Sequence, residues 1–165
     1  MTVDYLIVGQ GISGTLLSRS LISEGKRVVV IDEGKEAVSS KVASGVINPL
    51  TGKRLVRTWM IEAFLPFALG SYTSFGSELG KQLLQQCDIL DFHPTQDNSA
   101  IFNEKISTEG EYLSVMQPGD WDKYFRFNYG MGRIAPCLLL DIRAMLAAWR
   151  EKLDSKSRRC SNFPA

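Results

Sequence analysis

The feature that most constrains the fold is a glycine-rich turn between an apolar segment and an amphipathic one. Residues 3–8 are mostly apolar and run directly into a Gly-x-Gly-x-x-Gly pattern formed by Gly9, Gly11 and Gly14. Residues 12–24 then carry apolar side chains at helical spacing. We therefore expect a strand, a tight turn and a helix, which is the arrangement that binds the pyrophosphate of a dinucleotide.

The three glycines suit the backbone of this turn to a phosphate ligand. Gly9 allows a tight turn, Gly11 leaves no side chain between backbone and ligand, and Gly14 lets the helix approach the strand closely. A helix beginning near Ile12 presents unpaired N–H groups and a partial positive charge at its N-terminus. We expect a Cβ at Gly11 to block ligand binding more than folding.

A second apolar segment completes a βαβ unit. Residues 27–31 read Arg-Val-Val-Val-Ile and end at Asp32, 21 positions beyond Gly11. An acidic residue at that distance accepts hydrogen bonds from ribose hydroxyls, and its charge disfavours the 2′-phosphate of NADP. The pattern therefore favours FAD or NAD. The predicted cofactor-binding residues of this unit are Gly9, Gln10, Gly11, Ile12, Ser13, Gly14, Asp32 and Glu33.

Composition limits the other classes of function. The 165 residues are 44% hydrophobic and carry 19 basic and 18 acidic side chains, so we expect a folded core and no nucleic-acid partner. No apolar segment approaches the roughly 20 residues of a membrane span, and the first strand begins too close to Met1 for a signal peptide. A cytoplasmic protein is expected. The 3 cysteines lack disulfide or zinc spacing, so no metal site is predicted.

The rest of the chain predicts helices and an antiparallel sheet rather than further βαβ units. A mostly helical segment is expected over 58–87, interrupted at Pro66. Short strands are expected at 88–92, 99–103, 124–129 and 133–139. Asp141 is expected to cap a last helix whose apolar face contains Ile142, Met145, Leu146, Trp149 and Leu153.

Two segments resemble a known family of flavoproteins. Residues 5–33 resemble the N-terminal FAD-binding segment of the D-amino-acid oxidase-like superfamily, which includes glycine and sarcosine oxidases. Ser44-Gly45, followed by Lys-Arg-Leu-Val-Arg at 53–57, is similar to the Ser/His-Gly and Thr-Arg-Ile-Ile-Arg region of monomeric sarcosine oxidases. Residues 62–69 resemble the helix that follows that region. The second segment is the more specific, because several superfamilies share the glycine motif.

The resemblance implies FAD as the cofactor and gives several residues a role. FAD would lie with its adenosine on the first βαβ unit and its flavin above the segment after the second strand. Ser44, Gly45 and Arg54 would also contact FAD. Arg57 would pair with a substrate carboxylate, which the planar fork of arginine suits. The residues alone leave another interpretation open, in which Arg54 and Arg57 are solvated charges.

The resemblance further implies oxidation of an amine or amino acid by hydride transfer to the flavin. The cofactor carries that chemistry, so no catalytic residue is assigned. The expected fold class is α/β mixed with α+β: a Rossmann-like βαβ FAD-binding unit and part of an antiparallel substrate domain, truncated. The expected domains are 1–58 (FAD-binding unit and connector), 59–140 (partial substrate domain) and 141–165 (a helix returning to the FAD domain and an irregular tail).

Two other interpretations stand beside this one. Family members are considerably longer, so the second interpretation is a truncated, non-catalytic remnant that at most binds a dinucleotide. A missing strand beside the first one would expose a sheet edge, and such an edge favours self-association. The third interpretation is an NAD-linked dehydrogenase, which shares the glycine turn and Asp32 but predicts more βαβ units. The sequence alone does not choose between an active enzyme and a remnant.

Overall fold

The chain forms two units in the computed structural model, which describes residues 2–35, 39–117, 119 and 121–155. The described parts of unit 1 lie in Met1–Gly45, Ser74–Leu83 and Asp141–Ala165. Unit 2 consists of Val46–Thr73 and Leu84–Leu140.

Helices and short strands alternate along the chain. The strands are β1 (Tyr5–Val8), β2 (Val28–Ile31), β3 (Val46–Ile47), β4 (Leu50–Thr51), β5 (Val56–Arg57), β6 (Leu84–Phe92), β7 (Leu113–Met116) and β8 (Met131–Leu140). The helices are α1 (Ile12–Ser23), α2 (Ser39–Val42), α3 (Ile61–Leu79), α4 (Gln96–Glu109) and α5 (Ile142–Ser155), and a 3-10 turn covers Trp121–Lys123. Within the described residues, no helix combines the length and the apolar character needed to cross a bilayer.

The first βαβ unit forms as the sequence predicts. β1 and β2 pair in parallel from Tyr5↔Val28 to Val8↔Ile31, with α1 between them in the chain. All three valines of β2 are buried, as expected for a parallel strand covered on both faces. The glycine turn between β1 and α1 is therefore anchored to a buried strand.

α5 confirms the helix predicted after Asp141. The Asp141 carboxylate caps it by accepting a hydrogen bond from the Ala144 N–H at 2.9 Å. The predicted apolar face is buried and comprises Ile142, Met145, Leu146, Trp149 and Leu153. Trp149 donates from Nε1 to Ser18 Oγ at 2.8 Å, and Phe75 meets its ring edge-on at 5.3 Å. These contacts attach α5 to α1 and to the end of α3.

Unit 2 contains an antiparallel sheet with β8 at its centre. β3, β6 and β7 all pair with β8 in the antiparallel sense, and β4 and β5 form a separate antiparallel pair. The predicted antiparallel sheet is thus confirmed. Among the described residues, unit 2 shows none of the further βαβ units that an NAD-linked dehydrogenase would have.

The core of unit 2 lies where α4 covers β8. Phe102 of α4 is 1% exposed, and a Cβ built at Gly132 of β8 would lie 1.9 Å from Phe102 Cζ. Only glycine at that position leaves room for the ring. The buried cluster comprises Leu50, Leu55, Ile61, Phe102, Tyr112, Leu113, Ile134 and Cys137.

Several secondary-structure predictions are wrong. Residues 99–103, predicted as a strand, lie in α4, whose cap Thr95 accepts a hydrogen bond from the Asn98 N–H at 3.2 Å. Residues 124–129, also predicted as a strand, form none. Their aromatic side chains pack instead, as where Phe125 stacks on Phe92 with ring centroids 4.5 Å apart.

The ends of other elements also differ from the predictions. α3 runs through Pro66 without interruption and ends at Leu79, so β6 begins at Leu84 within the segment predicted as helical. β7 was not predicted. From residue 156 onward, the predicted irregular tail lies outside the described residues.

The unit boundaries differ from the predicted domains 1–58, 59–140 and 141–165. Residues 46–58 belong to unit 2, because Val46 pairs with Leu139 of β8. Residues 74–83 return to unit 1, where Phe75 packs on Trp149. As far as it is described, the segment after Asp141 lies in unit 1 with the βαβ unit.

Candidate dinucleotide-binding site

The glycine turn has a geometry that side chains at two of its positions would prevent. Gly9 has φ +93°, in the left-handed region that favours glycine, and its N–H donates to the Ile31 carbonyl at 2.7 Å. A Cβ at Gly14 would lie 2.0 Å from the Gly9 carbonyl oxygen. The chain therefore turns from β1 into α1 with helix and strand in close contact, as predicted.

The N-terminus of α1 is capped by a residue from α2. The Ile12 N–H donates to Ser40 Oγ at 3.1 Å, while Gly11 supplies no side-chain cap. A Cβ at Gly11 would lie 2.9 Å from that same Ser40 oxygen. The helix end thus already binds an oxygen acceptor at the place predicted for a pyrophosphate.

Asp32 lies at the end of β2 in a dense set of donors. Its Oδ2 accepts from the Gln10 N–H and its Oδ1 from the Gly34 N–H, each at 2.8 Å. The Arg150 guanidinium also donates to Oδ1. Partial burial alone would raise the pKa of Asp32, but these donors outweigh it, so the pKa lies below its ordinary value and the carboxylate is ionised at neutral pH.

Gln10 links the turn to α5. The residue is 3% exposed, with Nε2 donating to the Leu146 carbonyl at 3.3 Å and Oε1 accepting from Arg150 Nε at 3.1 Å. Turn, strand end and α5 are therefore joined by hydrogen bonds around Asp32.

A cavity of about 240 Å³ lies beside this network in unit 1. Arg143 on its wall donates from Nε to the Lys41 carbonyl at 2.6 Å. The lining residues are Lys41, Arg143, Leu146, Ala147 and Arg150. Three cationic side chains on an otherwise apolar wall suit an anionic ligand.

The structure brings most of the predicted βαβ residues together. Gly9, Gln10, Gly11, Ile12, Ser13 and Gly14 form the turn and the start of α1, beside Asp32. Glu33 differs, because its exposed carboxylate pairs with Lys35 and takes no part in the Asp32 network. Ser44 is exposed, and Gly45 follows it at φ +76°. Their predicted contact with FAD stays a prediction.

The two predicted arginines lie in unit 2. Arg54 is exposed in the turn between β4 and β5. Arg57 is held by three carboxylates of its own unit: it donates from Nε to Glu109 at 2.8 Å, from Nη1 to Glu62 at 2.6 Å, and also to Glu111. These hydrogen bonds raise the pKa of Arg57, and the bond to Glu109 raises it most. A substrate carboxylate would compete with these three carboxylates for the Arg57 guanidinium.

Sequence reasoning missed Ser40 and Arg150. Each is hydrogen-bonded to a residue far away in the sequence: Ser40 to Ile12, 28 positions away, and Arg150 to Asp32, 118 positions away. No local pattern connects positions so distant. Among the described residues, no group of three or more His, Cys, Asp or Glu side chains is arranged to hold a metal ion.

The βαβ unit, its glycine turn and its terminal acid define the Rossmann class of dinucleotide-binding folds. No family model and no curated protein sequence matches the chain. Solved structures match its fold. Glycine oxidase from Geobacillus kaustophilus superposes with a TM-score of 0.70 at 18% identity, over 96% of this chain and 45% of the oxidase.

Two further structures are similar. L-amino acid deaminase from Proteus myxofaciens, in complex with anthranilate, gives a TM-score of 0.68 at 12% identity, over 95% of this chain and 37% of the deaminase. Iminodiacetate oxidase from Chelativorans sp. BNC1 gives a TM-score of 0.64 at 18% identity, over 96% of this chain and 46% of the oxidase. The fold implied by the sequence resemblance is confirmed, since glycine oxidase belongs to the superfamily that it names. The chain spans less than half the length of each enzyme.

Proposed function

We propose that unit 1 binds the ADP half of FAD and that the chain is the N-terminal part of an FAD-dependent oxidoreductase acting on an amine or amino acid. The observation that carries the proposal is the glycine turn with Asp32 beside it, in a fold shared with glycine oxidase and L-amino acid deaminase. A bound flavin would accept hydride from the carbon that bears the substrate nitrogen.

The residues of unit 1 suit both polar parts of ADP. A phosphate oxygen could take the place of Ser40 Oγ as the acceptor of the Ile12 N–H, and Lys41 and Arg143 line a cavity in the same unit with cationic side chains that favour an anion. The ionised Asp32 carboxylate can accept hydrogen bonds from ribose hydroxyls. The substrate role of Arg57 and the flavin contacts of Ser44, Gly45 and Arg54 remain parts of this proposal.

Cofactor binding by the purified full chain tests the proposal. We expect a flavin spectrum after reconstitution with FAD, and saturable binding of ADP by calorimetry. Gly11→Val should weaken both by about tenfold or more, because its side chain would crowd the end of α1. Gly70→Ala is the matched control, since a Cβ there meets nothing within 4 Å. Undiminished binding by Gly11→Val would refute the assignment.

A second candidate function is nucleotide binding without turnover. One observation favours it: Arg57, the predicted partner of a substrate carboxylate, is occupied by Glu62, Glu109 and Glu111. Anaerobic addition of glycine, sarcosine and D- and L-amino acids separates the two functions. Bleaching of bound flavin supports the oxidoreductase, and a yellow protein that no amine bleaches supports the remnant. Tight NAD binding without FAD binding would favour a dehydrogenase.

We also propose self-association through the outer edge of β1. The Tyr5 N–H donates to the carbonyl of Arg27, just before β2, at 3.1 Å, and the Gly9 N–H donates to the Ile31 carbonyl of β2 at 2.7 Å. By alternation the backbone of Leu6 and Val8 therefore faces away from β2. Leu6 and Val8 are 59% and 80% exposed as whole residues. Such an edge invites strand pairing with another copy.

Sedimentation equilibrium tests this association. Leu6→Lys is expected to shift a wild-type dimer toward monomer, because a charge at a strand edge disfavours pairing. Leu17→Lys, at an exposed apolar position of α1, should leave the dimer intact. A wild-type protein that stays monomeric at high concentration contradicts the proposal.

A cytoplasmic location is also proposed. Cys87 and Cys137 are register partners across β6 and β8, and both are free thiols. Facing thiols of this kind suit a reducing compartment. Fractionation of cells that express the tagged chain would test it, and recovery in an extracellular or periplasmic fraction would contradict it.

A further inference from the structure

Arg150 places its guanidinium beside the residue expected to bind ribose. It donates from Nη2 to Asp32 and from Nε to Gln10, and an ideal Cβ at Gly34 would lie 3.5 Å from Nη1. The side chains of Arg150 and Asp32 are 23% and 19% exposed, so the pair is largely shielded from water. The guanidinium therefore lies against the end of β2 rather than out in solvent.

This contact changes the charge that the subsite presents. An isolated acid at the end of the second strand disfavours a 2′-phosphate, whereas a nearby arginine accommodates one. In this chain the acid and the arginine occur together. Arg150 pairs with the Asp32 carboxylate and neutralises its charge. Lys41 and Arg143, which line the same cavity, add further positive charge.

We propose that Arg150 is a specificity-determining residue of the adenosine subsite: by pairing with Asp32 it makes the subsite tolerate a phosphate on the ribose 2′-oxygen. The inference rests on the proposed function, since it assigns the place of the adenosine to the end of β2. It reverses the expectation that Asp32 by itself excludes 2′-phosphorylated ligands.

The test compares two probes that differ only in the 2′-phosphate, ADP-ribose and 2′-phospho-ADP-ribose. Calorimetry on the full chain gives the ratio of their dissociation constants. Wild-type protein should bind both within about threefold, and Arg150→Met should weaken the 2′-phosphorylated probe by about tenfold or more relative to ADP-ribose. Asp32→Asn should shift the ratio in favour of the 2′-phosphorylated probe, because the positive charge of Arg150 would then no longer be neutralised by a carboxylate. The double variant should return toward the wild-type ratio.

Two variants serve as controls. Arg150→Lys retains the positive charge and should keep the ratio near that of wild type. Arg19→Met removes another arginine of unit 1 that is paired with a carboxylate, Glu78 at 2.7 Å, and should leave the ratio unchanged. Circular dichroism tests whether each variant is folded. If Arg150→Met is not folded, the change in the ratio for Asp32→Asn decides whether the inference holds.

The outcomes separate this inference from the proposed function. An unchanged ratio in folded Arg150→Met, or in Asp32→Asn if that variant has to decide, overturns the inference. So does a wild-type protein that binds FAD and ADP-ribose but already excludes the 2′-phosphate more than about tenfold; in both cases the proposed function stands. Wild-type protein that binds neither FAD nor ADP-ribose overturns both.

Discussion

At the scale of single residues, Gly11 and Gly14 of the glycine turn have different surroundings. A Cβ at Gly14 would meet the Gly9 carbonyl oxygen at 2.0 Å, and that oxygen belongs to a backbone that cannot move without unwinding the turn. A Cβ at Gly11 would meet Ser40 Oγ at 2.9 Å, which a side-chain rotation relieves. Gly14 is therefore needed for folding, whereas Gly11 leaves space at the end of α1.

Gly14→Ala should destabilise the protein. The new methyl group forces the turn away from α1, and overpacking of this kind costs about 2 kcal/mol or more. Urea denaturation followed by circular dichroism measures the loss. Gly70→Ala, in open space on α3, should change the free energy of unfolding little or raise it. Equal stability of Gly14→Ala and wild type would contradict the close approach.

Asp32 should make stability depend on pH. Partial burial would raise its pKa, but the N–H groups of Gln10 and Gly34 together with Arg150 lower it below its ordinary value. A group with a depressed folded-state pKa contributes stability that is fully present above its unfolded pKa and lost as the pH falls through the folded one. Wild type should therefore exceed Asp32→Asn in stability at pH 7, and the gap should narrow below about pH 4. A gap that is constant down to pH 3 would contradict this.

At the scale of elements, the sequence predicts those whose burial is extensive. The valines of β2 and the five apolar positions of α5 are buried, and both elements form as predicted. In α4 the buried positions are only Phe102 and Glu109, so its apolar stripe is too narrow to identify a helix. The adjacent Ile101 and Phe102 resemble a strand instead, and the tertiary packing of Phe102 over Gly132 decides the outcome.

The cap of α4 gives a test at this scale. Thr95 accepts a hydrogen bond from the Asn98 N–H, so Thr95→Ala should lower the free energy of unfolding by about 1 kcal/mol. Thr108 lies within the same helix and donates to the Lys105 carbonyl at 3.2 Å. Thr108→Ala should be neutral or slightly stabilising, because alanine is the better helix former. Chemical denaturation of both variants makes the comparison, and equal effects would contradict the cap.

Distance along the chain determines what sequence reasoning finds in the candidate site. The turn and Asp32 were found because strand, helix and strand follow one another within residues 3–32. Ser40 and Arg150 join them only through folding. No partner of Asp32 was therefore predicted, whereas in the structure it is paired with Arg150.

At the scale of the whole molecule, unit 1 is assembled from three separate stretches of sequence. The turn and Asp32 come from the first stretch, and Arg150 comes from the last one, on α5. Unit 2 interrupts unit 1 twice and has its own buried core. A ligand at the candidate site should therefore stabilise distant parts of the sequence together and leave most of the intervening sequence unaffected.

Hydrogen exchange measured with and without ADP tests this arrangement. A ligand that binds only the folded state adds about 2.7 kcal/mol of stability at 100 times its dissociation constant, and this slows exchange wherever the amides open together with the site. Peptides covering Gly9–Gly14, Asp32 and Arg150 should all gain protection, because hydrogen bonds join them through Gln10. Peptides from β6 and β8 should change little, since those strands pair within unit 2. Protection of the turn without α5 would show that the Arg150 contact does not couple α5 to the ligand.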